Sequence, residues 1–220
     1  MQFFLDSAEV GEIAAALERY DIDGITTNPR HVQTSGKPFL KVIHEIVRLV
    51  EGTPKTVSAE VNPHLEDWAA MVDEGRRLAE ISPNIVVKIH CVDGAFRAVR
   101  ELKRHGIRTN VTLIFSAAQG LQAMRSGAFY ISPFVGWKEA NAEDTRGFIS
   151  DLVAMKRNGA YPTEILVAAV RNGRQIVDAA VAGADIVTAG LAVYKEAFEH
   201  PYTRDGLSRF QAFWDQSAYE

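Results

Sequence analysis

Residues 84–115 read NIVVKIHCVDGAFRAVRELKRHGIRTNVTLIF, and the fold is decided in this stretch. Residues 85–89 form a short apolar run rich in β-branched side chains, the mark of a strand covered on both faces. Residues 95–105 then place apolar side chains at i, i+3, i+4 and i+7, the period of an amphipathic helix. Gly106 punctuates that helix, and a second β-branched run follows at 110–114. A strand, a helix and a strand in this order make a parallel βαβ unit, because parallel neighbours need a long crossover.

The same rhythm runs outward in both directions. Apolar runs stand at 3–5, 24–27, 57–61, 129–135, 165–170 and 185–188, which with the two already quoted makes eight. Helical patterns such as 65–80 and 147–157 separate them, with Ser7, Asp93 and Ser116 at expected N-caps and Gly52 and Gly127 at expected helix ends. Eight βα alternations with no linker or compositional break predict a single α/β domain, a (β/α)8 TIM barrel over residues 1–200. An open doubly wound sheet ordinarily uses five or six strands, and no glycine-rich nucleotide fingerprint follows any of these runs. Residues 201–220 lie beyond the eighth unit as a helical extension. Leu207, Phe210, Phe213 and Trp214 make one apolar face there, packed on its own barrel or on a neighbouring subunit.

Composition narrows the class of function. The 220 residues carry 24 Lys plus Arg against 28 Asp plus Glu, for a net charge of −4. That balance offers no electrostatic footprint for nucleic acid or an anionic membrane. No apolar stretch has the length of a membrane span, and MQFFLDSAEV lacks the basic start of a signal peptide. With a single cysteine, Cys91, no intrachain disulfide forms, so the expected location is the cytoplasm. HExxH, CxxC and GxSxG are all absent, so neither a metal nor a serine nucleophile is expected.

Barrel enzymes place their chemistry where strands end, so polar side chains inside the runs are the candidates. Lys88 stands between Val87 and Ile89. Burying an ammonium is costly unless it is paired, and desolvation favours the neutral amine, which attacks ketones to form a Schiff base. Asp6, Glu60, Thr112, Thr26, Asn28, Asn110, Ser132 and Phe134 lie in or at the end of other runs. Period-2 alternation puts Thr26 with Asn28, Asn110 with Thr112, and Ser132 with Phe134 on shared faces. Two carboxylates, several neutral hydrogen-bonding groups and one lysine around one mouth are what imine chemistry on a polyol requires.

These residues sit in LDSAEV (5–10), GITTNP (24–29), VSAEV (57–61), IVVKI (85–89), TNVTLIFSAAQ (109–119) and ISPFVG (131–136). In order and spacing across essentially the whole chain, the set resembles the transaldolase family, specifically the short branch shared with the fructose-6-phosphate aldolases. The resemblance implies a class I mechanism without a metal or other cofactor. It makes Lys88 the imine-forming residue and Asp6 the acid–base at the sugar hydroxyl. Glu60 and Thr112 would hold the catalytic water, and Asn28, Asn110 and Ser132 would bind the dihydroxyacetone unit. Aldolase-like relatives carry Gln and Tyr where this chain has Glu60 and Phe134, so the transferring type fits better than the type that releases dihydroxyacetone. The branch also implies a homo-oligomer, a pentameric ring or a decamer, with the C-terminal extension in a subunit contact.

Departures fall at the substrate's far end. The family's Arg after the SPFVG-type run is Trp137 here, and a Ser two residues before the retained Arg171 is Ala169. An arginine pairs a phosphate bidentately, whereas indole offers one N–H and an apolar face. The reading is therefore a ketose with an anionic C6 substituent, either a phosphate or a sulfonate as in 6-deoxy-6-sulfofructose, and an aldehyde acceptor. Arg171, Trp137 and His90, two residues past Lys88, are expected at the substrate. A sugar-binding barrel without turnover is the non-enzymatic alternative.

Overall fold

The structure, a computed structural model, describes residues 1–217. Eight parallel strands close a barrel in sequence order. They are β1 (Gln2–Asp6), β2 (Gly24–Thr26), β3 (Thr56–Glu60), β4 (Ile85–His90), β5 (Thr109–Ile114), β6 (Tyr130–Pro133), β7 (Glu164–Val170) and β8 (Ile186–Ala189). The first helices are α1 (Val10–Tyr20), α2 (Pro29–Thr34), α3 (Phe39–Val50), α4 (Trp68–Ala79), α5 (Asp93–Arg104) and α6 (Ala117–Ser126). After β6 come α7 (Val135–Ala140), α8 (Thr145–Asn158), α9 (Gly173–Ala182), α10 (Leu191–Phe198) and α11 (Pro201–Trp214).

All eight runs read from the sequence are strands, and the helix ends show which local forces set the boundaries. α4 begins at Trp68 rather than 65 because Asp67 accepts from the amides of Ala69 and Ala70. Ser116 caps α6 in a reciprocal capping box with Gln119. Ser7 and Asp93 do not cap: Glu9 and Val92 hold the cap positions, and Asp93 is the first residue of α5. β6 ends at Pro133 because α7 starts two residues later, leaving Phe134 as a bridge to Ala168.

Alternation along each strand sorts side chains between the helix layer and the barrel axis. Phe4, Val86, Tyr130, Leu166, Ala168 and Ile186 pack together on the axis, separate from the larger core between strands and helices. A Cβ on Gly24 would stand 2.5 Å from the Phe4 ring, so glycine there lets Phe4 fill the barrel's centre. The same parity continues upward. Beyond Phe4 comes Asp6, beyond Val86 come Lys88 and His90, and beyond Tyr130 comes Ser132. The apolar plug forms a floor, and the polar residues stand above it at the C-terminal mouth.

In α11 no residue is buried. Leu207, Phe210, Phe213 and Trp214 are 56%, 71%, 68% and 61% exposed, so this face does not pack on its own barrel. The last three positions of the 201–220 segment lie outside the described residues. Among the described residues no helix is long and apolar enough to cross a membrane.

Candidate active site

The mouth opens into a cavity of about 740 Å³. Asp6, Thr26, Asn28, Glu60, Lys88, Thr112, Ser132, Phe134, Trp137 and Arg171 all line it. Strand register accounts for the grouping. Asp6 pairs with Thr26, Glu60 with Lys88, and Lys88 with Asn110, so residues far apart in sequence meet at one height.

Lys88 is 4% exposed. Its Nζ donates to the Thr27 carbonyl at 2.8 Å and lies 3.5 Å from Glu60 Oε2, a partnered lysine in an otherwise apolar strand. Across the cavity, Asp6 has a donor on each oxygen. Thr26 Oγ1 donates to Oδ1 at 2.8 Å, and His31 Nε2 lies 3.1 Å from Oδ2. An ionised carboxylate only accepts, so the Thr26 hydrogen is committed to Asp6 and Thr188, 2.7 Å away, donates to Thr26. Burial pushes the Asp6 carboxyl upward. The His31 hydrogen bond, the charges of Lys88 and His31 and the Thr26 hydroxyl outweigh it and hold the group below the usual carboxylate range.

A second chain runs behind the opposite strands. Ser132 Oγ donates to Asn110 Oδ1 at 2.7 Å, and Asn110 Nδ2 donates to Ser58 Oγ at 3.1 Å. Asn110 is fully buried and is not part of the cavity wall; Ser132 stands between it and the cavity. Asn28 reaches the wall, but its Oδ1 caps α2 by accepting from the His31 amide at 3.0 Å, which leaves its NH2 for a ligand.

His90 is not brought into the cavity either. Its Nε2 donates to the Leu65 carbonyl at 2.6 Å, so that hydrogen is committed to the loop after β3. Its Nδ1 and the Thr112 hydroxyl are buried without a hydrogen-bond partner among the described residues, and the two residues pair across β4 and β5. Cys91 beside it is held protonated by burial, which pushes the thiol up to about 11.

The far end is built differently. Trp137, 51% exposed on α7, packs with Phe115 and Phe134 at ring separations of 5.7 Å. Gly136 lets α7 come close to the end of β7: a Cβ there would stand 2.2 Å from the Ala169 carbonyl and 3.1 Å from the Arg171 side chain. Leu113 and Ala169, both lining the cavity, have φ of 59° and 57°, and β5 and β7 each shift register beside them. Such bulges re-aim strand ends next to sites.

Among the lining residues that the reading of the sequence missed, the polar ones are Arg30, His31 and Thr188. Arg30 and His31 follow Asn28-Pro29 directly, and a polar pair just past a strand end was the available signal. Among the described residues no three His, Cys, Asp or Glu side chains gather where they could hold a metal ion.

A closed eightfold barrel with a buried lysine, two carboxylates and a hydroxyl-rich wall at its C-terminal mouth has the layout of a carbohydrate-converting barrel. The Transaldolase/Fructose-6-phosphate aldolase family profile matches residues 3–219, and the chain belongs to that family. It is 51% identical to the 6-deoxy-6-sulfo-D-fructose transaldolase of Priestia megaterium, over 100% of this chain and 98% of that protein. To the protein named "Probable transaldolase" from Aquifex aeolicus it is 41% identical, over 98% of this chain and 97% of the relative. A solved structure from Coccidioides immitis, assigned as a fructose-1,6-biphosphate aldolase, superposes with a TM-score of 0.60. That match covers 92% of this chain and 81% of the other at 13% identity, a likeness of fold.

Proposed function

We propose that this protein is a metal-independent class I transaldolase that takes a dihydroxyacetone unit from a 6-deoxy-6-sulfo ketose and passes it to an aldehyde, in the cytoplasm. The observation that carries the reading is Lys88: a nearly buried amine, pinned by the Thr27 carbonyl, in the wall that also holds Glu60 and faces Asp6. Lys88 Nζ attacks the C2 carbonyl, and loss of water leaves an iminium, the electron sink for breaking the C3–C4 bond. Asp6 takes the C4 hydroxyl proton and later returns one to the acceptor's oxygen. Glu60 and the unpartnered Thr112 hydroxyl hold the water used in imine formation and hydrolysis. Ser132 and the Asn28 NH2 bind substrate hydroxyls, and Asn110 acts from behind by holding Ser132.

Transfer is favoured over release of free dihydroxyacetone because Phe134 brings a ring without a hydroxyl to the enamine, so no phenol orders a protonating water there. At the far end, Arg171 supplies positive charge while Trp137 stands in place of a second guanidinium, a pocket suited to a monoanionic sulfonate. The identity to a 6-deoxy-6-sulfo-D-fructose transaldolase supports the same choice. The test is kcat/KM for matched 6-sulfo, 6-phospho and unmodified fructoses with an aldehyde acceptor, plus borohydride trapping read by mass. The expected outcome is a preference for the 6-sulfo ketose and an adduct at Lys88. A phosphate preference above about a hundredfold, roughly 2.7 kcal/mol, removes the sulfonate assignment. Absence of the adduct removes the mechanism.

The exposed apolar face of α11 is proposed to dock on a second copy of the chain in a pentamer or decamer. Sedimentation at micromolar concentration checks this, and a lone 24.3 kDa species contradicts it.

A further inference from the structure

His31 belongs to none of the roles assigned above, yet from the first turn of α2 it bonds Asp6 directly. Pro29 opens α2 and Asn28 caps it through the His31 amide, so the backbone of this turn is set before the imidazole is placed. The ring lies on the cavity wall, 30% exposed, with Nε2 3.1 Å from Asp6 Oδ2. An ionised carboxylate offers only lone pairs, so Nε2 carries the proton in this contact. Thr26 holds the other oxygen, itself backed by Thr188. Asp6 is thereby gripped from β2 and α2, with β8 behind Thr26, and each oxygen keeps a lone pair.

We infer that His31 is a positioning residue for Asp6, holding the carboxylate by its Nε2–H in the orientation that takes the C4 hydroxyl proton. The inference rests on the Schiff-base reading. In the cleavage direction the C4 hydroxyl loses its proton to Asp6, and the freed O–H electron pair forms the aldehyde C=O. The C3–C4 bond breaks, and its electrons pass through C3 and C2 onto the iminium nitrogen as the enamine. A carboxylate free to rotate would meet that hydroxyl only part of the time, which lowers kcat without weakening ketose binding. The other charged groups facing this cavity are Lys88 from β4, Glu60 from β3, Arg30 beside His31, and Arg171 after β7. Lys88 and His31 both favour ionised Asp6, so losing the imidazole moves Asp6 back up toward ordinary carboxylate behaviour. Since Asp6 works as a base only when ionised, the acid limb of the rate profile then moves to higher pH.

The experiment compares wild type, His31→Leu and His31→Gln in kcat, KM and kcat/KM against pH, with borohydride trapping at Lys88 in each. His31→Leu is expected to lose kcat by about tenfold or more, keep KM within about twofold and shift the acid limb upward. His31→Gln keeps an N–H donor and is expected to recover most of kcat. Both variants should still give the Lys88 adduct, since imine formation precedes the step assigned to Asp6. A His31→Leu enzyme with unchanged kcat and acid limb overturns the inference, as does a His31→Gln enzyme no better than His31→Leu. If wild type itself yields no adduct, the Schiff-base reading fails first and takes this inference with it.

Discussion

The mouth of the barrel has two walls built on different principles. Along β1 to β4 the strands stay in unbroken register, and Asp6, Thr26, Glu60 and Lys88 follow the pleat without interruption. Along β5 to β8 the register shifts twice, and Leu113 and Ala169 take left-handed backbone angles where the shifts occur. The regular wall carries Asp6, Glu60 and Lys88, the charged groups proposed to move protons and form the imine, while Thr112 and Ser132 stand on the other wall. The bulged wall carries the aromatic group of Phe115, Phe134 and Trp137, with Arg171 beyond it. A regular ladder holds reacting groups at fixed separations, which proton transfer and covalent attack demand. Bulges let strand ends be aimed individually, which suits a pocket shaped to one end of a substrate.

The largest effect that would test this division comes from Lys88→Arg on the regular wall. Arginine stays protonated and cannot form an imine, so turnover should fall by roughly 10⁴-fold or more while the thermal midpoint moves little. Activity above one part in a hundred in a carrier-free preparation, with circular dichroism confirming the fold, would break the assignment of chemistry to this wall. A middle-sized effect belongs to the bulged wall. Trp137→Arg should raise the ratio of kcat/KM for the 6-phospho over the 6-sulfo ketose by about tenfold, near 1.4 kcal/mol. Borohydride trapping at Lys88 should be unaffected by that change; a coupled loss of both would show that the two walls are not separable.

The smallest effect concerns the backbone of the bulge. Ala169 has φ 57° whereas its buried neighbour Ala168 does not adopt a positive φ. Ala169→Gly should leave stability within about 0.5 kcal/mol of wild type, since relief of left-handed strain offsets the entropy of glycine. Ala168→Gly gains no such relief and should cost about 1 kcal/mol. Denaturant titrations of the two variants make the comparison, and equal losses at both positions would remove the case for stored strain beside the site.

The two walls were also unequally readable. Lys88, Glu60, Asp6 and Thr26 stand out as polar interruptions of apolar runs, and the register then brings them together as the alternation implies. His90 shows where alternation misleads. It shares the axial face with Lys88, yet its Nε2–H is bound to the Leu65 carbonyl and the ring stays out of the cavity. Asn110 keeps its face but is sealed behind Ser132. At Gly136 the sequence carries no sign of the close approach by which Ala169 and Arg171 press against it.

The sequence by itself determined eight strands, their order in one barrel, which side chains face the axis, and the lysine set inside an apolar strand. All of these follow from spacing along the chain, because the pleat has a period of two and the helix one of 3.6. Only the tertiary structure decided that His31 meets Asp6, that Thr27 rather than a carboxylate is the nearest partner of Lys88, and that α11 leaves its apolar face uncovered by the barrel. Those contacts join elements far apart in the chain, and their distances depend on how the closed sheet tilts, bulges and staggers. No local period encodes that geometry.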